Sequence, residues 1–171
     1  MDYREQVAHH EAAHAVLAIR YNMGISGGID LDAATSVDGA FGNAAVNLIV
    51  LDAELPIKEQ RLDLARNLAV VCAGAASDAR VKQIAPGDAL DAQPGDYRFA
   101  VEAAMASSLV ADPDEADYVV KEVGLSHAVA EIAKPDVWAV ISRVAAAVLD
   151  AGGRLSQADI EALAIAPSSP R

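Results

Sequence analysis

A cluster of histidines and a glutamate lies near the start of the chain, His9-His10-Glu11-Ala12-Ala13-His14. It contains the pattern H-E-x-x-H, in which the two outer histidines lie one turn apart on the same face of a helix. His10 and His14 could therefore bind one zinc ion and leave coordination positions open for water. Glu11 could point towards the ion without binding it, take a proton from that water and later give it to a leaving amine. The spacing thus predicts zinc-dependent hydrolysis.

The same pattern also occurs on ordinary amphipathic helices, where the histidines make only hydrogen bonds. The alanine-rich flanks leave His10 and His14 few other partners, which favours the metal site. His9 points about 100° away from His10 around a helix. We therefore expect His9 to lie at the surface or to support a ligand rather than to bind the ion.

A helix must hold this cluster, and the flanking residues predict one. Asp2 followed by Glu5 resembles a capping box with Asp in place of the usual Ser or Thr. Mostly apolar residues continue the helix through Ile19, and Met23-Gly24 is expected to end it.

The composition sets limits on the function. The 171 residues fit one domain, and a content of 53% hydrophobic but only 4% aromatic residues favours close-packed, alanine-rich helices. A net charge of −12 argues against nucleic acid as a partner. The lone cysteine, Cys72, excludes an internal disulfide and is typical of a reducing cytoplasm. No apolar stretch approaches the roughly 20 residues that span a bilayer, and the charged start does not resemble a signal peptide. We expect a cytoplasmic chain without a membrane segment.

A small sheet is predicted after the first helix. Ile29, Leu31 and Val37 predict short strands, and Ala44 to Leu51 a longer one. An exposed strand edge beside a metal site could bind an extended peptide, although an ordinary core strand is the other interpretation.

Helices are predicted for most of the remaining chain. A long helix is expected from Pro56 to about Gln83, and its small residues, Ala73 to Asp78, would let the histidine helix approach closely. A loop is expected at residues 84–95. Further helices are predicted at 97–109, from 112 to a stop at Gly124, from 126, from 135 to the Gly152-Gly153 pair, and at 156–164. The fold class is therefore α+β, mostly helical with one small sheet. Residues 1–166 are expected to form a single domain and 167–171 a disordered tail.

A zinc site needs at least one more protein ligand. His127 is the remaining histidine, and Asp88, Asp91 and Asp96 lie in or beside the predicted loop. Asp96 would be held in place at a helix start, although N-capping alone would explain an aspartate there. Spacing alone does not rank Asp96 above Asp88. Asp78 could brace a ligand histidine from behind, or be an ordinary solvated carboxylate.

The order of these motifs resembles the peptidase domain of the FtsH family, the membrane-anchored AAA proteases of peptidase family M41. That family carries H-E-A-G-H-A where this chain has His10 to Ala15. Four later segments are similar to the family's G-G-R-x-A-E-E, G-A-x-x-D-x-x-x-A, G-M-S and L-x-x-x-x-I-x-x-L motifs; they are Ala73 to Asp78, Pro94 to Ala100, Gly124 to Ser126 and Leu155 to Leu163.

The resemblance implies an M41-like zinc metallopeptidase domain that acts on unfolded or flexible polypeptide. It implies that His10, His14 and Asp96 bind Zn²⁺ and that Glu11 is the general base. These 171 residues contain no ATPase module, so a separate ATPase or adaptor is a possible partner. Asp78 alone stands where the family has paired glutamates. The family's hexamer does not carry over, and the oligomeric state stays open.

Two other functions stay open at this point. The chain could be a catalytically silent module that keeps the peptidase fold and binds a peptide or partner at the strand edge, with a structural metal or none. It could also be a zinc hydrolase that acts on a small amide or another non-protein substrate.

Overall fold

A computed structural model describes residues 2–34 and 41–165 of the chain, which form nine α-helices, one π-helix and a three-stranded antiparallel sheet. The helices are α1 (Tyr3–Arg20), α2 (Ile57–Val71), α3 (Ala73–Lys82), α4 (Pro86–Asp91), α5 (Pro94–Ala106), α6 (Pro113–Tyr118), α7 (Ser126–Ile132), α8 (Pro135–Asp150) and α9 (Gln157–Ile165), with the π-helix Val119–Leu125 between α6 and α7. The strands are β1 (Ile25–Ala34), β2 (Phe41–Val46) and β3 (Arg154–Leu155).

The predicted α+β class, mostly helical with one small sheet, is confirmed. Val37, predicted to lie in a strand, and the predicted tail at 167–171 fall outside the described residues. Across the two described ranges, no helix combines the length and the apolar character that crossing a membrane requires.

Helix α1 lies at the centre of the fold and carries the histidine cluster. Its start is capped as predicted, because the side chain of Asp2 accepts a hydrogen bond from the backbone N–H of Glu5 at 2.8 Å. Every residue from Ala8 to Ala18 is buried, since α3, α8 and the sheet pack around this helix. The small alanine side chains allow this close packing on all sides. The helix ends at Arg20, a few residues before the predicted Met23-Gly24.

The sheet has the order β2-β1-β3, so β2 is an edge strand. Ile29 of β1 is paired with Ala44 on one side and with Leu155 on the other. The predicted strand Ala44 to Leu51 is wrong beyond Val46. The chain turns away there because the buried side chain of Asn67 on α2 binds both backbone groups of Ile49, each at 2.8 Å. An asparagine side chain thus takes the place of a neighbouring strand.

The predicted long helix from Pro56 to Gln83 is divided at Cys72 into α2 and α3. The close approach of the small-residue segment to the histidine helix is confirmed, because α3 packs directly on α1. Ser77 Oγ donates a hydrogen bond to the backbone carbonyl of His9 at 3.2 Å and fastens the two helices together.

Two boundary predictions are wrong for identifiable reasons. Residues 84–95 are not a loop, since Pro86 and Pro94 each occupy the first position of a helix, where a missing N–H has no consequence. Gly124 does not stop a helix, because the π-helix continues through it into α7. A Cβ at Gly124 would lie 2.6 Å from the Cβ of Leu68, so this glycine allows close packing against α2.

Candidate metal centre

Three side-chain atoms from distant parts of the chain meet above α1. The Nε2 atoms of His10 and His14 lie 3.2 Å apart, and Oδ2 of Asp96 lies 3.2 Å from the first and 3.4 Å from the second. In a tetrahedral zinc site with bonds of about 2.0–2.1 Å, neighbouring ligand atoms are about 3.3–3.4 Å apart. The three atoms therefore have the spacing of one face of a zinc tetrahedron, and this group could hold a metal ion.

The hydrogen bonds of the two imidazoles determine which nitrogen faces the centre. Nδ1 of His14 donates to the backbone carbonyl of Val70 at 2.8 Å, so this nitrogen carries a proton. Nδ1 of His10 faces Oδ2 of Asp78 at 3.5 Å. In the neutral rings, both Nε2 atoms therefore direct lone pairs at the same point as the Asp96 carboxylate. A cation between them, or protons on the imidazoles, would offset the repulsion among three electron-rich atoms so close together.

The carboxylate of Asp96 supports the same conclusion. Its Oδ2 is buried, and nothing within residues 2–34 and 41–165 gives it a hydrogen bond of suitable geometry. A buried carboxylate oxygen without a hydrogen bond costs about 1–3 kcal/mol or more. A divalent cation would remove this penalty, so the donor set fits a metal ion such as zinc.

The pKa shifts show how strongly the centre attracts positive charge. Burial alone would lower the pKa values of His10 and His14, but nearby carboxylates outweigh it and raise both, His10 well above its ordinary value. Burial would raise the pKa of Asp96, yet the two histidines hold it far below the ordinary range. Without a metal, protons on the imidazoles would take the place of the cation.

Glu11 lies beside this group with only 7% of its surface exposed. Burial raises its pKa, against the opposing effect of His10 and His14. The backbone of Ala44 on β2 hydrogen-bonds the carboxylate. Gly42 has a φ of +118°, and a Cβ there would lie 2.6 Å from Glu11 Oε1. The carboxylate is thus held between α1 and the edge strand, and its raised pKa makes it a stronger base than an exposed glutamate.

Two further residues singled out in the sequence, Asp78 and His9, are buried beside the centre. Asp78 is only 2% exposed and faces His10, so its interpretation as a solvated carboxylate is wrong. His9 is buried, donates from Nδ1 to the Glu5 carbonyl at 2.9 Å and stacks on Trp138, so its surface interpretation is wrong.

The other candidate ligands lie outside the donor group. Asp88 and Asp91 are exposed on α4, and His127 is exposed on α7. Within the described part of the chain, none of the three joins the group of possible metal donors.

A cleft of about 320 Å³ opens beside the centre. Strand β2 contributes much of its lining, Glu11 and His14 come from α1, and Asp96 and Phe99 come from α5. Phe99 is 49% exposed, so its ring is accessible to a ligand in the cleft. The full lining is Glu11, His14, Gly42, Asn43, Ala44, Ala45, Val46, Val71, Asp96 and Phe99.

Some residues of the site escaped the sequence analysis. Gly74 and the Val70 carbonyl contact the ligand histidines, but only the small-residue run gave any signal for Gly74. Gln93 and Phe99 carry no sequence signal that separates them from other polar or apolar helix residues. Their positions depend on how α5 packs against α2 and α4.

No family model matches the chain, and no curated protein matches it significantly. The resemblance of the motifs to the FtsH-type peptidases therefore stays a prediction.

Proposed function

We propose that this protein is a zinc-dependent metallopeptidase that hydrolyses peptide bonds in unfolded or flexible polypeptide. The observation that supports this most strongly is the triangle of His10 Nε2, His14 Nε2 and Asp96 Oδ2, with sides of 3.2, 3.2 and 3.4 Å. The triangle matches a zinc site with three protein ligands and an open fourth position, which is the arrangement of catalytic rather than structural zinc.

A zinc ion held by these side chains would supply Lewis acidity and lower the pKa of a water molecule to about 7. Glu11 accepts a proton from the attacking water as the water oxygen forms a bond to the peptide carbonyl carbon. It then donates that proton to the amine nitrogen as the carbon–nitrogen bond breaks. With zinc bound, His10 and His14 would be neutral, with each Nε2 facing the ion. The Nδ1–H of His14 donates to the Val70 carbonyl, and Nδ1 of His10 faces Asp78.

The cleft suggests how a polypeptide is bound. Strand β2 lies at the edge of the sheet and lines the cleft beside Glu11, so an extended chain could pair with it as an added strand. Such pairing uses main-chain hydrogen bonds and requires an unfolded segment. Phe99 provides apolar surface for a side chain of that segment.

The test uses the purified chain loaded with zinc and an unstructured, fluorescently labelled polypeptide such as casein. We expect cleavage that stops when a chelator removes the metal and returns when zinc is added. Glu11→Gln should keep about one zinc per chain and lose roughly 10²–10⁴-fold of the rate.

Two outcomes would count against the proposal. Cleavage by Glu11→Gln at the wild-type rate would show that the mechanism is wrong. Zinc binding without any cleavage by the wild type would instead favour a catalytically silent binding module.

A further inference from the structure

One carboxylate oxygen connects two of the three proposed metal ligands. Oδ2 of Asp78 lies 3.5 Å from Nδ1 of His10 and accepts a hydrogen bond from Nε2 of Gln93 at 2.7 Å. Gln93 immediately precedes α5, the helix whose first turn contains Asp96. A short path of contacts therefore runs from His10 through Asp78 and Gln93 to the start of the helix that carries Asp96.

Backbone hydrogen bonds tie Gln93 to the helices before and after it. Its N–H donates to the carbonyl of Leu90 in α4 at 2.9 Å, and its carbonyl accepts from the N–H of Tyr97 in α5 at 3.0 Å. Its side chain is half-buried and reaches α3. A shift of the first turn of α5 would therefore move Gln93 and disturb its hydrogen bond to Asp78.

We propose that Gln93 is a positioning residue that couples the ring orientation of His10 to the position of Asp96 through Asp78. This inference rests on the metal centre of the proposed function. The ring of His10 can point Nε2 at the ion only while its Nδ1 faces Asp78, and Gln93 holds Asp78 in that place. Partners behind a ligand typically change metal affinity by about 10–100-fold.

Lys82 offers an internal comparison. Its Nζ lies 3.3 Å from the same Oδ2 of Asp78, but it belongs to α3, as Asp78 does, and its side chain is partly exposed. Lys82 therefore supports the charge of Asp78 without any connection to α5. If the coupling matters, loss of Gln93 must affect the centre more than loss of Lys82.

The experiment measures zinc affinity by competition with a chelator, together with the visible spectrum of the cobalt-substituted protein. We expect Gln93→Ala to lower zinc affinity about 10–100-fold and to change the cobalt spectrum, since the ligand geometry changes. Gln93→Met keeps the side-chain length without a donor and should behave in the same way, which covers a folding failure of the alanine variant. Gln93→Glu should bind zinc more weakly still, because it brings a second carboxylate against Asp78.

Two control variants separate the coupling from simpler effects. Lys82→Ala should change zinc affinity by less than about threefold and leave the cobalt spectrum unchanged, since outer partners act only through ligand orientation. Gln157→Ala removes a similar glutamine–carboxylate bond, to Glu161 at 2.9 Å, on the exposed face of α9 and should have no effect.

The failures of the two proposals can be told apart. Wild-type zinc affinity in both Gln93→Ala and Gln93→Met, or equal losses in Gln93→Ala and Lys82→Ala, would overturn the coupling and leave the metal centre intact. Absence of zinc binding by the wild type would overturn the centre itself. Tight zinc binding without peptide cleavage would overturn only the peptidase proposal.

Discussion

Gly74 of α3 lies directly against the Nε2 atom of His10 on α1. A Cβ at this position would overlap that nitrogen and would also meet Nε2 of His14. The two imidazoles thus occupy the space that a side chain on α3 would need. The small-residue segment of α3 serves the candidate centre itself as well as the packing of the two helices.

Gly74→Ala should therefore weaken zinc binding by at least about tenfold, since the new methyl group forces the ligand rings out of position. The measurement is zinc affinity by chelator competition. Gly87→Ala is the matched control, because a Cβ there would meet nothing within 4 Å. Gly87 lies in α4. The Gly87→Ala protein should bind zinc with wild-type affinity, and its free energy of unfolding should be unchanged or raised by about 0.5–1 kcal/mol. Equal zinc affinity in the two variants would contradict the assigned geometry.

Zinc affinity should fall as the pH falls. Carboxylates outweigh burial and raise the pKa values of His10 and His14 in the metal-free protein, so zinc must displace protons from them. With one or two protons displaced, we expect a loss of about 10–100-fold per pH unit between about pH 8 and about pH 6. Isothermal titration in buffers of different ionisation enthalpy counts these protons. Affinity that stays constant over this interval would argue against two imidazole ligands.

The same pKa shifts predict how the stability of the metal-free protein depends on pH. Because the folded-state pKa values of both histidines are raised, their contribution is complete below the unfolded value of about 6.5 and is lost as the pH rises through the folded values. Thermal unfolding of the metal-free protein should therefore shift to lower temperature above neutral pH.

Added zinc should remove this decline. Zinc at about 100 times its Kd should raise the free energy of unfolding by about 2.7 kcal/mol. This corresponds to an increase in Tm of roughly 5–10 °C for a chain of this size. His127→Gln, which alters an exposed histidine outside the centre, should follow the wild-type curve. A metal-free Tm that increases steadily from about pH 6 to about pH 9 would contradict the charge assignment.

Phe99 should influence which peptides are cleaved. It exposes 49% of its surface in the cleft beside Glu11, so we expect it to contact an apolar side chain of the substrate. Phe99→Ala should lower kcat/KM about 10-fold for peptides with a large apolar residue next to the cleaved bond, without a change in zinc affinity. Tyr118→Ala removes an aromatic side chain that is 64% exposed and does not line this cleft. Equal kcat/KM in both variants would exclude Phe99 from substrate binding.

The sequence was most informative where one local element determines the outcome. His10, Glu11 and His14 lie on one helix, so their spacing alone places them on the same side of α1. The cap at Asp2 and the close-packed α3 were predictable for the same reason, because short-range patterns decide them.

Contacts between distant elements could not be derived in this way. Asp96 and Asp88 each follow a Pro-Gly pair and are equivalent as local sequence. The packing of α5 on α2, which is distant from it in the chain, brings Asp96 to the histidines. The end of β2 was missed because the side chain of Asn67 captures Ile49, which no alternation of apolar residues reveals. The link from Asp78 to Gln93 likewise exists only once α3 and α5 are in place.

The central claim is that Asp96 completes a metal centre with His10 and His14, and the most direct test compares Asp96→Ala with Asp88→Ala. Both variants remove an aspartate near the start of a helix, but only Asp96 lies within 3.4 Å of the histidine nitrogens. We expect wild type and Asp88→Ala to bind about one zinc per chain with equal affinity. Zinc affinity of Asp96→Ala should fall by more than about a hundredfold, which exceeds the loss expected for a residue that contacts a ligand but not the ion. Unchanged zinc affinity in Asp96→Ala, or an equal loss in Asp88→Ala, would contradict the claim.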